Sequence, residues 1–221
     1  SWVHGQEREG RGSYALIDPS TGEEFAQASI ADGGVVDAAL ASAQDALRGW
    51  RSMPSPQRSS LLHALAEKVR EEQDALAALL SREAGKPLQA ALDEVLSSAF
   101  LVDYFAEENL RLCGQIPLLG YPREQVLIVR EPVGVVVAIT PFNYPLSTLA
   151  AKMAPALAVG CTVVAKPDEH TPLSTLKLAQ LAVEAGVPPG VFNVLTGSGA
   201  ATGRLLVEHP VLHDREQTLL F

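Results

Sequence analysis

Between Glu131 and Pro167 the chain reads EPVGVVVAITPFNYPLSTLAAKMAPALAVGCTVVAKP, a strand, an asparagine-bearing turn, a helix and a second strand ending in lysine. Val133 to Ile139 is a near-continuous aliphatic run, which suits a strand covered on both faces in a parallel sheet rather than one with a wet side. Thr140-Pro141-Phe142-Asn143-Tyr144-Pro145 stops that run at the carboxyl end of the strand, the edge where open α/β sheets bind ligands. Chemistry is therefore expected at this turn.

The alternation continues downstream. The pattern predicts a helix over 146–159 ending at Gly160, a strand over 161–166, a helix over 172–185 ending at Gly186, a strand over 191–195, a short helix near 199–208 and a buried strand from Thr218. Such spacing implies right-handed βαβ crossovers and an α/β fold with a Rossmann-like parallel sheet and flanking helices. Upstream, Asp18 to Glu23 is a turn cluster between two extended segments, which predicts a hairpin. Three helical runs follow: 35–50 capped by Asp32, a long run from Ser55-Pro56 to Gly85, and 88–110. Leu112 to Pro117 and Gln125 to Arg130 read as two strands about a Gly120-Tyr121-Pro122 turn, a hairpin that interrupts the α/β order.

Composition narrows the function classes. The chain has 221 residues, 47% of them hydrophobic, enough for a large packed core, and a formal net charge of −9 without a basic run. A phosphate-backbone partner is thereby disfavoured, and nucleic-acid binding is excluded first. Cys113 and Cys161 fall in different elements, which points to a reducing compartment and not to a disulfide framework. The apolar stretch from Ala150 to Ala165 is broken by Lys152, Pro155, Gly160 and Thr162, too often for a bilayer span. The opening SWVHGQEREGRG lacks the apolar centre of a signal peptide. A soluble, cytoplasmic protein is expected, with a processed organellar form left open.

Several residues could carry chemistry. Asn143 lies between Pro141 and Pro145, which restrict the backbone and would hold its amide as a fixed donor, as an oxyanion hole requires; ordinary turn chemistry is the other reading. Lys166 to Pro172 ends the second strand, with Thr171 as the expected cap and Pro172 at the first helical position. In a dinucleotide fold this segment faces the adenine ribose, and Asp168 and Glu169 would repel a 2′-phosphate; a solvated charged loop reads equally well. Gly197-Ser198-Gly199-Ala200-Ala201-Thr202-Gly203 has the spacing G-x-G-x-x-x-G after the third strand, which fits a cofactor wall at Gly199 or close helix–strand packing better than a pyrophosphate fingerprint. His209 and His213 have Pro210 between them and no third ligand nearby, so no metal site is expected. Cys161 and Cys113 read as core and hairpin residues without a neighbouring base.

Taken together, EPVGVVVAITPFNYP, the K-x-x-P-A-L-x-x-G helix from Lys152 to Gly160, TVVAKPDEHTP and GVPPGVFNVLTGSG resemble the aldehyde dehydrogenase superfamily, with IDPSTGE and REAGKP in the family's order upstream. The resemblance implies oxidation of an aldehyde to a carboxylic acid by NAD(P)⁺, through a thiohemiacetal and a thioester on a cysteine. It assigns the oxyanion amide to Asn143 and a place near the catalytic centre to Lys152. Lys166 and Glu169 become ribose contacts; Thr140, Pro141 and Phe142 become the cofactor wall. Tyr144, Thr148 and Ala151 match substrate-tunnel positions, and the small residues at 148 and 151 suggest a polar or branched aldehyde. The acidic pair at 168–169 favours NAD over NADP.

The resemblance also divides the chain into an N-terminal part of the cofactor-binding domain (1–110), an oligomerisation hairpin (111–131) serving a homodimer or homotetramer, and a dinucleotide-binding segment (132–221). The family's pyrophosphate turn, glutamate base and cysteine nucleophile match nothing in these 221 residues, so this stretch alone is expected to be inactive. The alternative is a catalytically inactive nucleotide-binding or scaffold fragment of the same fold. An unrelated Rossmann-type enzyme would need a glycine fingerprint where Thr-Pro-Phe-Asn stands.

Overall fold

The computed structural model describes residues 1–117, 125–213 and 217–220. The chain opens with two short strands, β1 (Trp2–Val3) and β2 (Gln6–Glu7), and the hairpin β3 (Ser13–Ile17) and β4 (Glu24–Ser29). Four helices follow, α1 (Gly33–Ser52), α2 (Ser55–Glu71), α3 (Gln73–Ala84) and α4 (Leu88–Arg111). Then come β5 (Val135–Ile139), α5 (Pro145–Val159), β6 (Thr162–Lys166), α6 (Leu173–Glu184) and β7 (Phe192–Val194). A π-helical turn (Gly199–Gly203), α7 (Arg204–Val207), a 3-10 turn (Pro210–His213) and β8 (Gln217–Leu220) complete the described chain.

The expected parallel sheet is present. Strands run in the order β2-β1-β7-β6-β5-β8, with β5 parallel to β6 and β8, and β6 parallel to β7. Both faces are covered, which accounts for the aliphatic run in β5. Val136, Ala138, Val163, Ala165 and Val194 pack into one core with Trp50, Leu65, Leu80, Val95, Leu149 and Leu178. Val135, Val137, Val164 and Leu195 pack on the opposite side against Val36 and Leu40 of α1 and Leu206 of α7. Each valine or leucine among them contributes about 1.5–3 kcal/mol when fully withdrawn from water.

Local signals explain most boundaries. Asp32 caps α1 by accepting from the Val35 N–H at 3.1 Å. Gly160 ends α5 with φ 100°, in the left-handed region that favours glycine, and a Cβ there would crowd Arg51 Cα and Pro132 Cγ, each at 3.2 Å.

Several expectations need correction. The apolar run over 55–85 forms two helices, because Glu72 (φ −97°, ψ 11°) leaves helical geometry. The bend keeps Leu65 and Val69 before it, and Leu76 and Leu80 after it, all buried. The first residues carry no strong strand pattern, yet β1 adds antiparallel to β7 at the sheet edge, with Trp2 opposite Val194. The helix expected near 199–208 is a π turn followed by one short α turn. Of the predicted strands 112–117 and 125–130, the described residues form a single antiparallel bridge. Gln115 and Ile128 exchange N–H···O bonds of 2.9 and 2.8 Å. A lone ribbon with Ile116, Leu127 and Val129 exposed buries too little to extend further. Gly120-Tyr121-Pro122 lies outside the described residues. Among the described residues, no helix is long and apolar enough to cross a membrane.

Candidate functional site

Three loops meet at the carboxyl edge of the sheet. β5 is the first strand of the parallel set; β6 and β7 lie successively on one side of it and β8 on the other, so the chain reverses its direction of growth between β5 and β8. In open α/β sheets the ligand crevice lies outside the strand ends at such a switch point. The loop after β5 carries Thr140 to Tyr144, and the register Ile139↔Lys166 sets the loop after β6 directly beside it.

Asn143 is exposed at this edge, just before α5. The first turn of α5 has no side-chain cap of its own. Glu94, buried on α4, supplies it: its Oε1 accepts from the Leu146 N–H at 2.9 Å and the Ser147 N–H at 3.2 Å. Lys86 pairs with the other Glu94 oxygen, donates to the Asn143 carbonyl at 2.7 Å, and stands 4.4 Å above the centre of the Tyr144 ring. The turn is thus gripped from the helical segment, while the Asn143 amide stays uncommitted among the described hydrogen bonds and available as a donor to an oxygen.

The loop after β6 is held in the same way. Thr171, the expected cap, does not cap α6; its hydroxyl is buried without a partner among the described residues. Glu83, buried at the end of α3, accepts instead from the Leu173 N–H at 2.8 Å, the Ser174 N–H at 3.1 Å and the Ser174 hydroxyl. Burial pushes the Glu83 carboxyl up to about 7, opposed by those three donors. Lys166 is buried, with its ammonium 3.4 Å from Glu169 Oε2, and that oxygen also accepts from the Gly199 N–H at 3.2 Å. Lys166, Glu169 and Gly199, expected at the cofactor, therefore meet. Asp168 turns onto the His170 N–H at 3.0 Å and its ring nitrogen at 2.6 Å. Phe142 stands edge-on to the His170 ring, 6.4 Å between ring centres, and both line a cavity of about 360 Å³ with Glu83 and Thr171.

The remaining residues fall into place around this edge. Thr140 is buried at the end of β5, whereas Pro141 and Phe142 are exposed. Tyr144, Thr148, Ala151 and Lys152 follow one another along the part of α5 left at least partly open, while Leu149, Ala150 and Met153 pack inward. Lys152 makes no side-chain hydrogen bond or ion pair among the described residues. Cys161 is buried just before β6, its thiol pushed up by burial; Cys113 is exposed. Among the described residues no three His, Cys, Asp or Glu side chains are placed to hold a metal, and His209 faces Asp37 at 3.1 Å. Reading along the chain missed Lys86, Glu83 and Glu94. The REAGKP segment contains the first two, but no local signal shows which helix starts they serve.

Residues 2–214 match the family model described as aldehyde dehydrogenase family. The chain is 38% identical over 197 residues to succinate-semialdehyde dehydrogenase [NADP(+)] of Escherichia coli (strain K12), covering 89% of this chain and 41% of that protein. It is 37% identical over 211 residues to 3-sulfolactaldehyde dehydrogenase of Pseudomonas putida, covering 96% and 43%. It superposes with TM-score 0.91 and 32% identity on a point mutant of betaine aldehyde dehydrogenase from Staphylococcus aureus in complex with NAD⁺, over 95% of this chain and 44% of that one. The chain spans about two-fifths of the length of these relatives.

The raised Glu83 pKa sets a pH dependence. A carboxyl that titrates at about 7 when folded and at 4.5 when unfolded contributes full stability below pH 4.5 and loses it as pH rises to about 7. The loss expected across that window is on the order of 3 kcal/mol from this group. Urea unfolding of the wild type and Glu83→Gln from pH 4.5 to 8 should show this slope in the wild type only; parallel profiles would contradict it.

Proposed function

This chain belongs to the aldehyde dehydrogenase family, and from that premise we propose that it is the cofactor-binding portion of an NAD(P)-dependent enzyme that oxidises an aldehyde to a carboxylic acid. The observation that carries the reading is the Asn143 turn, exposed at the carboxyl end of β5 beside the switch point with its backbone anchored and its amide open. In this reading the Asn143 amide donates to the oxygen that gains negative charge as a nucleophile adds to the aldehyde carbonyl. A donor fixed in advance loses no energy to reorganisation in the transition state. The nucleophile and the base belong to parts of the enzyme outside these 221 residues.

The cofactor rests, in this proposal, against Thr140, Pro141 and Phe142, with Lys166, Glu169 and Gly199 at the adenine ribose. When bound it accepts hydride from the substrate. The acidic pair gives no ground for ranking NADP below NAD. Asp168 is already engaged by His170, and Glu169 by Lys166 and Gly199, so neither presents an unpartnered charge to a 2′-phosphate. The matched proteins include one named for NADP and one solved with NAD⁺.

Lys152, Tyr144, Thr148 and Ala151 line the approach of the aldehyde, which we propose to be small and polar. Two of the relatives are named for succinate semialdehyde and 3-sulfolactaldehyde, both of that kind. The enzyme is proposed to act in a reducing compartment, where Cys113 and Cys161 stay unpaired.

We further propose that the 111–131 segment joins copies of the protein, since its apolar residues Leu127 and Val129 are 64% and 68% exposed. Charged residues at both positions, Leu127→Lys with Val129→Lys, should shift the sedimenting full-length protein to smaller species; unchanged sedimentation would remove this role.

In the full-length protein, Asn143→Ala should lower kcat for succinic semialdehyde by about 10²–10³-fold, with the cofactor dissociation constant within about twofold of wild type. Loss of cofactor binding in that variant would instead make Asn143 a binding residue.

A further inference from the structure

We propose that Lys86, held by Glu94, is a positioning residue for the oxyanion donor: it fixes the turn that carries Asn143, an inference that rests on the reading of Asn143 given above. The flanking prolines fix φ at 141 and 145 and restrict the residue before each, Thr140 and Tyr144. They leave both torsions of Asn143 free, and Tyr144 stands at −140° and 63°, with ψ outside the extended range usual before proline. Contacts must set those angles, and the described contacts come from one direction.

Lys86 follows the left-handed Gly85 (φ 68°) that ends α3, and its side chain is only 13% exposed. Its ammonium has three N–H donors. They are shared between Glu94 Oε2, the Asn143 carbonyl and the face of the Tyr144 ring. The opposite oxygen of Glu94, whose side chain is fully buried, binds the amides of Leu146 and Ser147. One ion pair therefore grips Asn143, Tyr144, Leu146 and Ser147.

A buried ion pair is weak support for stability alone, since an apolar pair of similar volume often packs as well. Here it supplies directed donors and acceptors to the segment that needs a fixed geometry. The effect of Lys86 passes through Asn143, so the two residues should be coupled, and Lys86 should matter to turnover more than to cofactor affinity.

The test uses the full-length protein with succinic semialdehyde as probe, NAD⁺ and NADP⁺ each as cofactor, and the variants Lys86→Met, Lys86→Arg, Asn143→Ala and the double variant Lys86→Met/Asn143→Ala. Lys86→Met should lower kcat at least about tenfold, as expected for a misplaced catalytic group, with cofactor affinity nearly unchanged; Tm should fall as well, because Glu94 is left buried without its partner. The double variant should be no slower than Asn143→Ala alone, and Lys86→Arg should recover part of the rate. A slow Asn143→Ala beside a Lys86→Met of normal kcat, or additive losses in the double variant, overturns the positioning role while leaving the Asn143 reading intact. Parallel falls in Tm, cofactor affinity and kcat without recovery in Lys86→Arg also overturn it, as a structural effect only. A normal kcat in Asn143→Ala overturns both. Hydrogen exchange over residues 143–149 gives a readout that needs no substrate: faster exchange in Lys86→Met supports the grip, and unchanged exchange overturns it.

Discussion

Two buried carboxylates hold the carboxyl edge of this sheet in place. A parallel βαβ unit delivers each helix start to the ligand edge with its first N–H groups unsatisfied. The chain places Pro145 and Pro172 at the starts of α5 and α6, and neither start has a side-chain cap of its own. Glu94 and Glu83 supply the missing acceptors from helices that precede the parallel strands in sequence. Each turns its carboxyl oxygens to the N–H groups at the positive end of a helix dipole, which offsets part of the cost of burying it. Without these two groups the loops bearing Asn143 and Glu169 would begin at frayed helix ends.

The same arrangement assigns a task to the helical segment from α1 to α4. Its apolar faces close the core on both sides of the sheet, α1 on one side and α2 to α4 on the other. Its charged residues reach past that core to the site. The carboxyl edge of the sheet is thus a joint product of residues 83–94 and 140–199, and truncating the helical segment would remove polar anchors as well as apolar packing.

Much of this was legible along the chain where the signal is local. The aliphatic runs at 135–139 and 162–166, the Asp32 cap, the Gly160 stop and the Pro-rich turn at Asn143 all became the elements they predict, because each depends on neighbours within a few residues. The rest depends on partners far away. Glu94 and Leu146 are 52 residues apart, and Glu83 and Leu173 are 90 apart, so no window of the sequence contains both members of either pair. β1 is two residues long and gains its place from β7 and β2 on its two sides, and the bend at Glu72 follows from packing on both sides of it. Thr171 looked like a cap because its type and position suit one, but a carboxylate from α3 already filled the place. The fold class therefore followed from local pattern, whereas the carboxylates that hold the loops after β5 and β6 did not.

In the function proposed above, this edge binds a nicotinamide dinucleotide through the buried Lys166. Titration calorimetry of the full-length protein with NAD⁺ and with NADP⁺, wild type against Lys166→Ala, tests it most directly. Saturable one-site binding of at least one of the two is expected, weakened at least about tenfold in the variant by the loss of one charge-assisted hydrogen bond. Binding of neither dinucleotide, or equal affinity in Lys166→Ala, would contradict it.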